Sequence, residues 1–281
     1  MAIDDASHDN DGPTPQNRRQ DRQRRIFARV VELGSTTAQD LAGEFSVSLM
    51  TLHRDLDELE HRGVVRKFRG GVTAQPSGVF ESQLAYRLNS MTVEKAAIAR
   101  LALTHVEPGT SVMLDDSTTI LHMIPGLAER APLHVATTFL AAMRRLADLT
   151  SSHDINLIGL GGHYDVSHDS FVGVQCVEQI EGIRTDALFM SSSAVFGGDV
   201  YHQEERIVAL KRAMVASASR RYFLIDHAKL NRHALHRIMP LADFDLVITD
   251  AGVDPEILQA WKRDGIRYAV APPADSSAPV P

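Results

Sequence analysis

Phe45-Ser46-Val47-Ser48-Leu49-Met50-Thr51-Leu52-His53-Arg54-Asp55-Leu56 is the stretch that decides how the amino-terminal part of this chain folds. Ser48 is placed to cap a helix, since its hydroxyl can accept a hydrogen bond from a backbone N–H in the first turn. Leu49, Leu52, Leu56 and Leu59 then fall on one stripe at helical spacing. With Leu52 on the core side and a step of about 100° per residue, Arg54 points directly away from the core. Met50, Thr51 and Glu58 share that outer face, and His53 flanks it. Upstream, Ile26, Val30 and Leu33 mark one face of a helix over Arg22–Leu33, stopped by Gly34. Thr36 with Gln39 reads as a capping box that opens a short second helix, burying Leu41, Ala42 and Phe45. Downstream, Gly63 ends the third helix. The run Val64-Val65-Arg66-Lys67-Phe68-Arg69-Gly70-Gly71 then supplies β-forming residues, cations without an acid, and a glycine pair for a hairpin. Helix, helix, turn, helix and basic hairpin make a winged helix-turn-helix.

A recognition helix places polar side chains near its amino-terminal end to reach base edges. Ser48, Met50, Thr51, His53 and Arg54 are therefore candidate DNA contacts, joined by Arg66, Lys67 and Arg69 of the hairpin. Arg54 can give two hydrogen bonds to a guanine edge or a charged contact to phosphate. By itself an exposed arginine is an ordinary solvated side chain; the hairpin cations beside it tip the reading to DNA. The net charge of −7 does not oppose this. From Arg18 to Gly71 there are 11 basic residues against 8 acidic, while residues 76–281 hold 18 basic and 24 acidic. Local charge decides where a polyanion binds.

Beyond a Gly/Pro/Ser-containing stretch at Thr73–Val79, short apolar runs alternate with helical segments. The runs are Ser111–Leu114, Leu133–Ala136, Ile155–Ile158, Ala187–Met190, Tyr222–Ile225, Leu246–Ile248 and Arg267–Val270. Helices are predicted at Val93–Thr104, Phe139–Leu149, Glu204–Ala218 and Pro255–Arg263. This alternation predicts an α/β domain with a mostly parallel sheet covered on both faces. Ligands of such sheets bind at the carboxyl ends of the strands. There the sequence places Asp115-Asp116-Ser117-Thr118-Thr119, Thr137-Thr138, Gly159-Leu160-Gly161-Gly162, Ser191-Ser192-Ser193, Asp226-His227-Ala228-Lys229 and Thr249-Asp250. Hydroxyls and backbone N–H groups at a helix start can hold a phosphate, and Lys229 offers a mobile charge. Each loop taken singly is an ordinary cap; their recurrence predicts a binding crevice.

The residues Phe45–Leu56, then Leu59-Glu60, Gly63 and Arg69-Gly70-Gly71, resemble the signature of the DeoR family. His53 departs from it, standing where the family usually has the first of two arginines. The resemblance continues through Lys95 with Ile98-Ala99, Asp115 to Thr119, Thr137, Leu160-Gly161-Gly162, Glu204 or Glu205 with Lys211 and Met214, Asp226 with Lys229, and Thr249-Asp250. It implies a sensor domain similar in fold to ribose-5-phosphate isomerase that binds sugar phosphates. It further implies phosphate contacts from Ser117, Thr118 and Thr119, polar contacts from Thr137, Ser191 and Lys229, and Asp115 near the sugar hydroxyls. Gly161, Gly162, Lys211 and Asp226 complete the implied effector site. Ser117 stands where the family usually has glycine, Thr138 replaces a common asparagine, and Ser191-Ser192-Ser193-Ala194 replaces a glycine-containing loop. Each puts a side chain where backbone would otherwise approach the ligand.

The expected organisation is an arm over residues 1–17, a winged domain over 18–73, a linker over 74–90, an effector-sensing domain over 91–271 and a tail over 272–281. Met1 to Pro15 lacks the basic and then apolar regions of a secretion signal. No run approaches the roughly 18 apolar residues of a membrane span, so a cytoplasmic protein is expected. The single cysteine, Cys176, excludes an internal disulfide or a multi-cysteine zinc site and reads as a buried small residue. His163, His168, His233 and His236 carry no adjoining Cys or HExxH pattern, so no metal is assigned. Trp261 reads as packing. No cofactor is expected, and the partners are operator DNA, a phosphorylated effector and further copies of the chain. The competing reading is a sugar-phosphate isomerase-like enzyme using Asp115, Glu204, Glu205 or Lys211 for acid–base work.

Overall fold

The computed structural model describes residues 15–61, 65–74 and 84–273. Gly63, the segment 75–83, residues 1–14 of the expected arm and the chain from residue 274 lie outside them. The chain divides into two compact units, Met1–Phe80 and Glu81–Pro281.

In the first unit, α1 (Pro15–Leu33) starts inside the stretch assigned to an arm and well before Arg22. Its buried face is Ile26, Phe27 and Val30, while Leu33 at its end is exposed. Next come β1 (Ser35–Thr36), α2 (Ala38–Glu44) and α3 (Leu49–His61). Thr36 pairs in β1 with Val72, so the cap of α2 falls to Thr37, whose hydroxyl accepts from the Asp40 N–H at 3.1 Å. Ser48 caps α3 as expected, accepting from the Thr51 N–H at 3.1 Å. Leu52, Leu56 and Leu59 are buried beside Leu41 and Ala42, while Leu49, on the expected stripe, is exposed. The wing is β2 (Val65–Phe68) and β3 (Gly71–Ala74), joined by Arg69-Gly70. Gly70 has φ +97, which L side chains rarely adopt. With β1 on the far side of β3 the wing sheet has three strands.

Asp55 ties α3 to α1. It is buried, accepting from Arg22 Nε at 2.7 Å and from Gln23 Nε2 at 3.1 Å, with Arg19 Nε at 3.5 Å. Asp55→Ala should lower the urea-unfolding free energy of the winged unit by about 1–2 kcal/mol, because both arginines can rehydrate. An unchanged midpoint would show that this cluster does not hold α1 in place.

The second unit opens with α4 (Leu84–Asn89) and α5 (Thr92–Leu103). Its strands and helices then run β4 (Ser111–Leu114), α6 (Thr118–Leu121), α7 (Ile124–Leu127), β5 (Leu133–Thr137), α8 (Leu140–Thr150) and β6 (Ile155–Gly159). They continue with β7 (His163–Asp165), β8 (Ser170–Val172), α9 (Val174–Glu181), β9 (Thr185–Met190), β10 (Ala194–Phe196), β11 (Asp199–His202) and α10 (Glu205–Ala216). The unit closes with β12 (Ala218–Ile225), β13 (His236–Pro240), β14 (Leu246–Asp250), α11 (Pro255–Arg263) and β15 (Tyr268–Ala271). Seven strands form a parallel sheet in the order β15-β14-β12-β9-β4-β5-β6. Strand alternation builds a core on each face. Met113, Leu188, Met190, Phe223 and Ile225 pack with Cys176, Ile207, Met214 and Trp261. Val112, Leu114, Phe189, Tyr222 and Leu224 pack with Ile98, Ala102, Leu127 and Leu146. Two smaller sheets, β7-β8 and β10-β11-β13, were not anticipated, because their strands are short and only partly apolar.

Candidate functional site

On α3, Met50, His53 and Arg54 are exposed and Thr51 is half-buried against the Ser48 hydroxyl. Glu58 turns the other way, to Gln23 and Arg19 of α1, because it lies one turn beyond Asp55 toward that helix. Strand alternation also splits the hairpin cations. Arg66 is exposed on β2 and Arg69 in the turn, whereas Lys67 faces α3 and pairs with Asp57 and Glu60. The Asp57 contact raises the Lys67 pKa despite its slight desolvation. Among the described residues of α3 and the hairpin, the exposed arginines are thus Arg54, Arg66 and Arg69.

In the second unit the strand order reverses around β4. The chain leaves β4 toward β5 and β6, then returns to add β9 on the opposite side. The loops after β4 and β9 therefore diverge, and open α/β sheets carry ligands in the crevice at such a reversal. A cavity lies there, lined by Asp116, Ser117, Thr118, Ser191, Ser192 and Ser193 from those loops. Arg87 from α4, His202 from β11, Lys211 from α10 and Lys229 complete the lining. Ser117 Oγ and Ser191 Oγ are buried without a hydrogen-bond partner among the described residues. A buried hydroxyl left unpaired costs free energy that a polar ligand can recover.

Beneath the cavity Asp115, fully buried, accepts from Lys211 Nζ at 2.6 Å, from the Ser191 N–H at 2.8 Å and from the Ser117 N–H at 3.0 Å. Its oxygens are engaged in joining both loops to α10. Asp115, expected near sugar hydroxyls, is not among the residues that line the cavity. Asp116 is the carboxylate that lines the cavity, with Lys211 Nζ at 3.3 Å and His168 Nδ1 at 3.5 Å. Burial alone would raise the Asp116 pKa, but the charge of Lys211 above all, helped by Arg87, holds it well below the carboxylate range. Burial alone would lower the Lys211 pKa, but Asp115 and Asp116 raise it. Arg87 donates to the Asp116 carbonyl at 2.9 Å. Lys229 Nζ donates to the Ser192 carbonyl at 3.2 Å and lies 3.9 Å from Asp226 Oδ2.

Of the effector residues expected from sequence, Ser117, Thr118, Ser191, Lys211 and Lys229 line the cavity, with Asp115 and Asp226 beside it. Thr119, Thr137, Gly161 and Gly162 do not. Thr137 Oγ1 instead accepts from the Phe139 N–H, and the Gly161 N–H donates to Gln179. Adjacent strands are about 4.8 Å apart, so strand ends beyond the reversal cannot all meet one small ligand. The helix after β4 has only four residues, Thr118–Leu121, so anion binding there would rest on hydroxyls and N–H groups rather than a macrodipole. Arg87, Asp116, Ser192, Ser193 and His202 were missed. Asp116, Ser192 and Ser193 adjoin selected residues and could have been included; nothing local marks Arg87 or His202. No group of three His, Cys, Asp or Glu side chains suited to a metal occurs among the described residues. Burial first, then Asp116, pushes the Cys176 thiol up to about 11, which suits packing and not nucleophilic attack.

Comparison with known families places these features. The DeoR C terminal sensor domain matches residues 90–251, and the DeoR-like helix-turn-helix domain matches residues 22–77. The chain belongs to the DeoR family. It is a DNA-binding transcriptional regulator with a sensor domain. YgbI, an uncharacterized HTH-type transcriptional regulator of Escherichia coli K12, is 28% identical over 251 residues, covering 89% of this chain and 97% of that one. The lactose phosphotransferase system repressor of Lactococcus lactis is 25% identical over 233 residues, covering 82% and 90%. Among solved structures, ribose 5-phosphate isomerase A of Methanocaldococcus jannaschii aligns at 16% identity and a TM-score of 0.35, over 48% of this chain and 53% of that one. At that score the overlap carries no functional argument. No helix among the described residues is long and apolar enough to cross a membrane.

Proposed function

We propose that this DeoR-family regulator represses carbohydrate-metabolism genes and that a phosphorylated sugar or related metabolite, bound in the cavity between β4 and β9, sets its grip on operator DNA. The observation that carries this is the buried, unpaired pair Ser117 Oγ and Ser191 Oγ facing a space bordered by Arg87, Lys211 and Lys229. Cations and hydroxyl donors converging on one small space suit a phosphate. The relative that represses a lactose phosphotransferase system supports a carbohydrate effector. An enzymatic role is disfavoured. Asp115 and Lys211 neutralise each other, Glu204 is held by His168 at 2.8 Å and by Arg206, and Glu205 is exposed. The protein works in the cytoplasm as a dimer or larger oligomer, because one winged unit with a local surplus of three positive charges is a weak binder and repetition raises avidity.

The deciding experiment titrates a panel of phosphorylated sugars into a preformed complex of the full-length protein with its operator. At least one compound should shift the complex; none doing so would sink the effector assignment. On the DNA side, Arg54→Ala should weaken the cognate site by about 1–3 kcal/mol and relax preference at one base pair. If Arg54 touches only phosphate, the loss should be equal on all sequences and the salt slope should fall by about one. Unchanged cognate affinity would remove Arg54 from the interface.

A further inference from the structure

His202 ends β11, is buried, and lines the cavity. Its Nδ1 accepts a hydrogen bond from the backbone N–H of Glu204 at 3.1 Å. An accepting imidazole nitrogen carries no proton, so in the neutral ring the proton resides on Nε2. Protonating Nδ1 would set two N–H groups against each other. Burial first, and then the charge of Lys211 from α10, hold the ring neutral, outweighing Asp116 from the loop after β4. His168, whose ring centroid is 5.9 Å away, and Arg87 of α4 also disfavour a charged ring. His202 is thus a neutral donor whose role is fixed by the backbone beside it.

Three cations share the cavity with it, beside the Asp116 carboxylate. Arg87, Lys211 and Lys229 each attract an anionic oxygen more strongly than an uncharged N–H can. Phosphate oxygens go to those groups, and the neutral donor suits an uncharged oxygen elsewhere on the ligand. We propose that His202 reads a hydroxyl or carbonyl oxygen on the carbon skeleton of the phosphorylated effector through its Nε2–H. This assignment rests on the cavity being the effector site. It makes His202 a specificity residue that separates one phosphorylated sugar from another.

Calorimetry on the full-length protein tests it, using a panel of phosphorylated sugars with inorganic phosphate as the skeleton-free probe. His202→Asn keeps an acceptor near the Nδ1 position and lacks the Nε2–H; His202→Gln carries an N–H near the Nε2 position. His202→Asn should weaken the tightest-binding sugar phosphate about tenfold and inorganic phosphate less than about twofold, whereas His202→Gln should stay within about threefold on both. Wild-type affinity in His202→Asn overturns the proposal, as does an equal loss of sugar phosphate and inorganic phosphate in both variants. Side-chain nitrogen NMR of the wild-type protein gives a readout without mutation. The His202 proton should sit on Nε2 and shift when the sugar phosphate is added; a proton on Nδ1, or a charged ring at neutral pH, overturns the proposal. If Lys229→Ala abolishes binding while His202→Asn leaves it unchanged, the effector site stands and His202 alone is removed. If nothing in the panel binds the wild type, both readings fall together.

Discussion

Lys211→Met should destabilise the second unit by about 3–5 kcal/mol, enough to unfold much of it at moderate temperature. Lys211 is 3% exposed and pairs with two buried carboxylates, Asp115 and Asp116. Methionine fills similar volume, so the loss isolates charge from packing. Two desolvated carboxylates would remain facing each other with less cation between them. Combining Lys211→Met with Asp115→Asn and Asp116→Asn should recover part of the loss, which a packing defect would not allow. The same pairing predicts a pH profile. Asp116 has its pKa depressed below its ordinary 3.8, so its contribution is fully present above about pH 4 and is lost as pH falls through the folded-state value. Lys211 has its pKa raised above its ordinary 10.5, so its contribution holds below that pH and disappears as pH rises through the folded-state value. In Lys211→Met the Asp116 pKa should move upward, shifting acid unfolding to higher pH. Denaturant melts of the variant that match wild type between pH 4 and 8 would sink this account.

Lys229→Ala should weaken effector binding by about 1.5–3 kcal/mol, roughly tenfold or more, with basal operator affinity nearly unchanged. The ammonium borders the cavity from the loop after β12, two strands from the hydroxyls of Ser117. A phosphate held there would lose one charge-assisted bond and keep the others. Lys229 also donates to the Ser192 carbonyl, so the variant should loosen the Ser191–Ser193 loop slightly. Thermal melting separates that effect from ligand binding. The measurement is an effector titration against a preformed protein–operator complex, wild type beside variant. If the variant responds at the same effector concentration, Lys229 does not hold the anion.

Local patterning determined the elements. The leucine spacing of Leu52, Leu56 and Leu59 and the Ser48 cap specify α3, because helix formation depends on neighbours within about one turn. Apolar runs such as Ser111–Leu114 and Tyr222–Ile225 specify buried strands, because a parallel sheet covered on both faces needs apolar residues at successive positions. The seven main strands, the long helices between them and the winged unit were legible for that reason. Side-chain partnership was not. Lys67 read as a DNA contact until strand alternation turned it toward Asp57 and Glu60. Nothing local shows that Asp115 is joined to Lys211, 96 residues away, and to the Ser191 N–H. Strand order decided which loops meet: β9 returns beside β4, so Ser117 and Ser191 share a cavity while Thr137 and Gly161 fall outside its lining. Arg87 and His202 entered only through that closure. A residue's type and its local neighbours set the element it occupies, whereas its chemistry depends on charges and dipoles brought within a few ångströms by the order of the strands.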